Sequence, residues 1–569
     1  MAGSEKRKAI AIGMEDFKEI ISKDGYFVDK TLMIQKLIEN GTKVTLFTRP
    51  RRFGKTLNQS MIRRFFEDER TTQGERIDNS HLFDGLAISR CGEEILKHRQ
   101  QYPAIFMSLK SAKQPNYEMA HASLIDEISK EFKRHKYVLR SDALSQTEKN
   151  DFELICDKKA EPIAYAKAFG FLSECLARYH GKNAIILIDE YDVPLENAYM
   201  EGFYNDMIKF IRSLFESALK TNPYLERGVI TGCLRISKES IFTGLNNLEV
   251  QSILGTNYSD SFGFTEPEVM EMAEYFGFGD KFPELKEWYD GYCFGEDTEI
   301  YNPWSILSYL RTAEGSRKAL PRPYWSNTSS NDIVREMVQD ADNKTKNELE
   351  ILMSGGTIEK PVHEDITYGD IHASMDNLWN FLFFTGYLKK IGERLEGTDI
   401  YLTLAVPNLE IASVYTNSIS QWFTQKTAHL NNHVLIAALE QGDCKAAEEF
   451  ISNQLMQTIS YYDYAESYYH GFLAGLLTNS GEYMVESNRE RGTGRPDLVL
   501  STQNIRKGSV ILLELKIASG ITDMEAACEK GLAQIEEQHY AEPFTKEGYP
   551  EVKKYALSFY KKECMVKQG

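Results

Sequence analysis

The chain has 569 residues, of which 42% are hydrophobic, 12% aromatic and 26% charged, with a formal net charge of −18. That is ordinary globular composition, with apolar residues enough for several cores. The acidic balance excludes a uniformly basic nucleic-acid surface, but it is compatible with a local basic groove or a metal ion that brings phosphate to carboxylates.

In chain order, Val44-Thr-Leu-Phe-Thr48 reads as a strand, followed by a glycine turn and an apolar-periodic helix from about Thr56 to Phe66. Further strands are expected at 104–109, 184–188 and 228–234, separated by helical patterns near 119–137, 163–180 and 203–220. Strands alternating with helices predict a parallel α/β sheet covered on both faces. Residues 265–345 are expected to be mostly helical, with Thr265-Glu-Pro-Glu268 opening one helix at capping-box spacing. Residues 346–430 suggest a smaller α+β module, for which a winged helix is one arrangement. Helices follow from about 431, and strands return at 483–488, 497–500, 510–516 and 554–560. The expected division is 1–260, 261–345, 346–430 and 431–569.

Two segments carry chemistry. Gly54, Lys55 and Thr56, between a strand and a helix, fit a phosphate loop: backbone N–H groups for phosphate, a lysine for the terminal phosphates and a hydroxyl for Mg²⁺. Arg49 stands where the generic motif has its first glycine, so a basic strand-to-helix turn is the alternative. The strand Ala184–Ile188 ends in Asp189 and Glu190; Asp189 suits Mg²⁺ and Glu190 suits activation of the attacking water.

Near the C-terminus, Asp497 begins one strand, and the next contains Glu514-Leu515-Lys516. Residues two apart share a strand face, so Glu514 and Lys516 point together while Leu513 and Leu515 face the core. Two opposite charges on one face of an apolar strand suit a metal-dependent nuclease: Asp497 and Glu514 as Mg²⁺ ligands, Lys516 beside the attacking water. A simple Glu–Lys pair on a solvated face is the alternative. Upstream, Tyr462, Ala465, Tyr469, Phe472, Leu473 and Leu476 form a helical apolar stripe that also carries Glu466, a carboxylate needing a partner. His470, one turn later, reads as a packing or hydrogen-bonding group. Arg489, Arg491 and Arg495 are either phosphate contacts or ordinary turn charges.

The loop Thr48-Arg-Pro-Arg-Arg-Phe-Gly-Lys-Thr56, with Gly25-Tyr-Phe-Val-Asp-Lys-Thr31, Asp189-Glu-Tyr-Asp-Val-Pro194, Gly232–Asn247, Trp288-Tyr-Asp-Gly-Tyr292 and Tyr301-Asn-Pro-Trp304, resembles the bacterial AAA-like ATPases that carry a C-terminal PD-(D/E)XK nuclease-like domain. The resemblance spans nearly the whole chain. It implies a P-loop NTPase domain, a helical lid-like region and a nuclease-like α/β domain. ATP and Mg²⁺ are the implied cofactors, with Arg49, Arg52, Phe53, Gly54, Lys55, Thr56 and Asp189 at the nucleotide. It also implies Arg235 as a phosphate sensor, a surface arginine being the equal alternative. Asp29 and Lys30 would pack near the nucleotide, unless Asp29 is a helix cap. In the nuclease core, Glu466, Asp497, Glu514, Lys516 and the helix residue Gln534 match motif positions.

The expected function is an ATPase coupled to a Mg²⁺-dependent nuclease acting on DNA or RNA, with ATP state controlling access to the second site. The alternative is a nucleotide-switched interaction protein whose nuclease fold binds without cutting. Eight cysteines without a C-x-x-C pair, no signal-peptide apolar core and no apolar run of membrane length lead to an expectation of a cytoplasmic protein with no membrane partner, for which a homo-oligomer is an open option.

Overall fold

The computed structural model describes residues 7–235, 241–242, 247–296, 298–325, 334, 343–364, 374–427, 433–458, 466–477, 483–487, 494–506 and 508–569. These form two compact units, Met1–Asn327 with Glu359–Leu409, and Thr328–Ile358 with Glu410–Gly569. Among the described residues, no helix is long and apolar enough to cross a membrane.

The first unit is built on five strands: β1 (Val44–Thr48), β2 (Ala104–Ser108), β3 (Ala184–Asp189), β4 (Leu225–Gly232) and β5 (Leu248–Gln251). Their spatial order is β2-β3-β4-β1-β5, and every neighbouring pair is parallel. β1 and β3 are buried at every position, as continuous apolar runs in a parallel sheet covered on both faces must be. The expected α/β sheet is therefore present, with β5 added at its edge. The 163–180 helix is two pieces, Pro162–Ala166 and Ala168–His180.

The segment expected to be mostly helical contains a small antiparallel sheet of β6 (Phe264–Thr265), β7 (Tyr292–Phe294) and β8 (Thr298–Tyr301), ordered β6-β8-β7. Helices Glu266–Tyr275, Phe282–Tyr289 and Pro303–Gly315 pack around it on a core of Val269, Met272, Leu285, Tyr289, Tyr301 and Tyr309. The capping box at Thr265 and Glu268 forms as expected. Next come β9 (Ile358–Pro361), β10 (Lys389–Glu396) and β11 (Asp399–Ala405), in the order β10-β11-β9, with helix Met375–Thr385 beside them in sequence. The aromatics Trp379, Phe381, Phe383 and Phe384 of that helix are core.

The second unit holds β12 (Tyr483–Ser487), β13 (Leu498–Thr502), β14 (Ser509–Ile517), β15 (Glu551–Tyr560) and β16 (Glu563–Gln568), adjacent in that order. Only the β14–β15 pair is parallel, because helix Met524–Glu537 crosses between them. β16 continues the sheet by a tight reversal after β15 and was not expected.

The β6–β8 sheet supports the loop after β1. Phe53 is fully buried with its ring 4.9 Å from Tyr292 and 5.3 Å from Phe294, and its carbonyl accepts the Gly263 N–H at 3.1 Å. Gly263 has φ +78, and a Cβ there would lie 2.3 Å from Ile300 Cγ2 and 2.9 Å from Phe53 Cδ1. Gly263→Ala therefore combines a left-handed backbone with steric overlap, and should destabilise the first unit by about 2 kcal/mol or more. Chemical denaturation compared with the parent chain checks this.

Candidate nucleotide and metal sites

The loop between β1 and helix Lys55–Phe66 turns through two left-handed residues, Arg52 at φ +70 and Gly54 at φ +83. Nothing lies within 4 Å of where a Gly54 Cβ would stand, so a phosphate can approach the backbone there. Lys55, 4% exposed, donates to the carbonyls of Arg49 and Pro50, both at 2.9 Å, and contacts Cys233 Sγ at 3.5 Å. Thr56 Oγ1 donates to Asp189 Oδ2 at 2.7 Å, and Thr231 Oγ1 donates to Asp189 Oδ1 at 2.6 Å. The carboxylate ending β3 is thus held by the loop helix on one side and β4 on the other. A lysine, a hydroxyl and a carboxylate converge here beside an open backbone turn, the donor set that a metal-bound nucleotide needs.

Glu190 follows immediately, in a left-handed conformation at φ +52. Burial raises its carboxyl pKa; Asp189 adds to the rise, and Lys55 and Lys110 oppose it. Lys110, just past β2, was missed by sequence reasoning. It bonds Thr56 Oγ1 at 3.1 Å and Glu15 at 2.9 Å. Burial disfavours its charge, but Glu190, Asp189 and Glu15 outweigh that and hold its pKa above the ordinary lysine value. A single lysine after a strand has no sequence signature. Asp192 was also missed: it is 2% exposed and accepts the N–H groups of Cys233 and Leu234 at 2.6 and 3.1 Å, fixing the chain where it leaves β4.

Three residues expected at the nucleotide do other work. The Arg49 guanidinium is fully buried, donates to the carbonyls of Thr48, Gln251 and Tyr258, and lies over Phe262 and Phe294. Its side chain braces the loop against β5; only its backbone belongs to the turn before Gly54. The Phe53 side chain is core, and the Arg52 guanidinium stacks on Trp304 at 4.4 Å. Arg235 lies three residues beyond β4, 4.0 Å from Glu364. Asp29 accepts from Thr31 and from the Ala87 N–H, and Lys30 bonds Glu268, so both tie peripheral elements together. Asp29 is not the cap of helix Leu32–Asn40, whose N-cap residue is Thr31.

In the second unit, Asp497 sits in the bend one residue before β13, the strand it was expected to begin, and its Oδ2 accepts the Leu515 N–H at 2.7 Å. Glu514 is 1% exposed; its Oε1 accepts Lys516 Nζ at 2.9 Å, and its Oε2 has no hydrogen-bond partner among the described residues. The solvated-pair alternative therefore fails: Glu514 lies inside, under helix Met524–Glu537. Gly531 of that helix allows the approach, since a Cβ there would lie 3.6 Å from Glu514 Cγ and 2.9 Å from Ala556 Cβ. Gln534, one turn on, donates to Tyr540 Oη at 3.4 Å, and the Tyr540 hydroxyl lies within electrostatic reach of Glu514, Asp497 and Lys516. His470 takes the hydrogen-bonding role expected of it, 3.0 Å from the Asp497 carbonyl and 3.1 Å from Ser487 Oγ. Helix Glu466–Leu477 forms, but the Glu466 side chain, Tyr462, Ala465, Arg489 and Arg491 lie outside the described residues.

Burial raises the Glu514 carboxyl to about 7, with Asp497 adding to the rise and Lys516 opposing it. Asp497 is raised as well, chiefly by burial. A buried carboxylate, Glu514, with an unpartnered oxygen, and a half-buried one, Asp497, close enough to raise its pKa, fit a hard divalent cation.

Residues 11–242 match the family model described as a predicted AAA-ATPase, and residues 464–569 match the PD-(D/E)XK nuclease superfamily. These two matches agree with the resemblance read from the sequence. An uncharacterized protein in the vnfD 5' region of Azotobacter chroococcum mcd 1 is 24% identical over 567 residues, covering 96% of this chain and 95% of its own.

The Glu514 carboxyl couples stability to pH. The folded group holds its proton up to about 7, whereas the unfolded one releases it near 4.5. Its contribution to stability is therefore present below the unfolded pKa and lost as pH rises through about 7. In chelator, the stability of the parent relative to Glu514→Gln should fall across that window, and Mn²⁺ should restore it. A parent that gains on the variant as pH rises contradicts the assignment; denaturation midpoints at a series of pH values measure it.

Proposed function

We propose that the chain is an ATPase joined to a metal-dependent nuclease that cleaves phosphodiester bonds in DNA or RNA. The observation that carries the first half is Asp189, held between Thr56 of the phosphate loop and Thr231 of the neighbouring strand at 2.7 and 2.6 Å. The family matches support nucleotide and nuclease-like domains in the same places.

In the first unit, the backbone N–H groups around Gly54 would receive phosphate oxygens, and Lys55 would exchange the carbonyls of Arg49 and Pro50 for the terminal phosphates. Thr56 and Asp189 would hold Mg²⁺. Glu190 accepts the proton of the attacking water; its raised pKa brings it closer to the operating pH, where a base works best. Lys110 is a positioning residue, its ammonium keeping Glu190 in the charged form that a base requires.

In the second unit, Asp497 and Glu514 would hold a divalent metal. Such an ion supplies charge neutralisation at the scissile phosphate and a more acidic bound water. Lys516, fixed against Glu514, orients a water or phosphate oxygen. Gln534 and Tyr540 line the same side, and His470 fixes the backbone of Asp497. Glu466 is proposed as a further acid of this site, from its place in the motif.

Lys55→Ala should weaken ATP binding by about 1.5–3 kcal/mol, the worth of hydrogen bonds to a charged group; unchanged affinity in isothermal titration contradicts the loop assignment.

Glu190→Gln should retain ATP and lose about 10²–10⁴-fold in turnover, the usual contribution of a general base. Phosphate release at the parent rate removes Glu190 from that role.

Lys516→Ala should keep Mn²⁺ bound and lose cleavage, whereas Asp497→Ala should lose both. Cleavage of single- and double-stranded DNA and RNA, with and without ATP, reads this out. Undiminished cleavage by Asp497→Ala would mean that the fold only binds.

A further inference from the structure

The Trp288-Tyr-Asp-Gly-Tyr292 motif has no part in either site above. Its Asp290 caps the C-terminus of helix Phe282–Tyr289 and is 7% exposed. The next residue must be glycine: Gly291 has φ +99, and a Cβ there would lie 2.2 Å from the Pro407 carbonyl. The Asp290 carbonyl is taken by Asn408 Nδ2 at 2.7 Å. The backbone at Asp290 is thus fixed in place, while the carboxylate's Oδ1 has no hydrogen-bond partner among the described residues.

Two further carboxylates meet it. Glu266 is the first residue of helix Glu266–Tyr275, and Glu299 lies in the middle of β8. One oxygen from each of Glu266, Asp290 and Glu299 lies within 4.8 Å of the others. Lys286 Nζ is 2.5 Å from Glu266 and 3.7 Å from Glu299, and Tyr301 Oη donates to Glu266 at 3.3 Å. Three carboxylates against one ammonium leave two negative charges in excess. Asp290 moreover stands at a helix C-terminus, where the backbone dipole itself disfavours an anion. A nearly buried carboxylate with a free oxygen and like charges for neighbours gains from a cation.

We propose that Glu266, Asp290 and Glu299 form a third divalent-cation site, separate from the nucleotide loop, that takes Ca²⁺. The donors are all hard oxygens, and no thiol or imidazole joins them in the group. Oxygens around Ca²⁺ at about 2.3–2.6 Å are at most about 5 Å apart, so these three need little movement to reach one ion. The ion would tie two helices to β8, in the small sheet that supports Phe53 of the phosphate loop.

The test uses the full chain with Asp497→Asn and Glu514→Gln, so that the nuclease site does not contribute, and no nucleotide. Isothermal titration with Ca²⁺ should show one site. Glu299→Gln, at an exposed position, should weaken it by more than about tenfold, since even outer-shell losses weaken metals that much. Asp290→Asn should do the same, with circular dichroism to show that it folds. Lys286→Gln, which removes the competing ammonium, should tighten binding. Absence of Ca²⁺ binding, or equal affinity in Glu299→Gln and its parent, overturns the proposal and leaves Lys286 as the cluster's only counter-charge among the described residues.

Discussion

The first unit depends on one buried charge. Asp189 is fully buried at the end of β3, between β2 and β4 in the sheet. An ionised carboxylate there is tolerated only if its oxygens are satisfied and a cation is near. Each oxygen receives one hydroxyl, from Thr56 and from Thr231, and these belong to the loop helix and to β4. Satisfying this charge fixes the loop helix against two strands, and the backbone turn at Gly54 then lies beside a hydroxyl, a carboxylate and two lysines. The parallel sheet supplies the rest, because all of its strands present their C-terminal ends together.

The same constraint is met differently in the second unit. Asp497 receives a backbone N–H from Leu515, and Glu514 receives Lys516 on one oxygen only. Where Asp189 is fully bonded by protein groups, Glu514 is left with an unpartnered oxygen and a carboxyl raised to about 7. A residue that is 1% exposed and incompletely bonded costs stability, and such a cost is characteristic of functional sites.

Most of the sheet scaffold was legible in the sequence because buried parallel strands are continuous apolar runs, and β1 was placed at its observed bounds. β5 was not, since Leu248-Glu-Val-Gln251 has no such run and pairs along one edge only. The strands of the β6–β8 sheet have two to four residues, too short for periodicity to register. Lys55, Thr56 and Asp189, and Asp497, Glu514 and Lys516, stand at motif spacings in the sequence, and the fold brings each set together. Arg49 was misread for the opposite reason: its partners, Gln251, Tyr258, Phe262 and Phe294, lie some 200 residues away in sequence and leave no trace beside it. Lys110 and Gly531 matter only through what the fold brings next to them.

The central claim is that the loop after β1 is a nucleotide site in which Lys55 changes partners. The most direct measurement is a structure of the chain with a non-hydrolysable ATP analogue and Mg²⁺. The account predicts the triphosphate on the Gly54 turn, with Lys55 released from the Arg49 and Pro50 carbonyls and the ion reached by Thr56 and Asp189. An analogue bound elsewhere, or a Lys55 still donating to those two carbonyls beside the triphosphate, would contradict it.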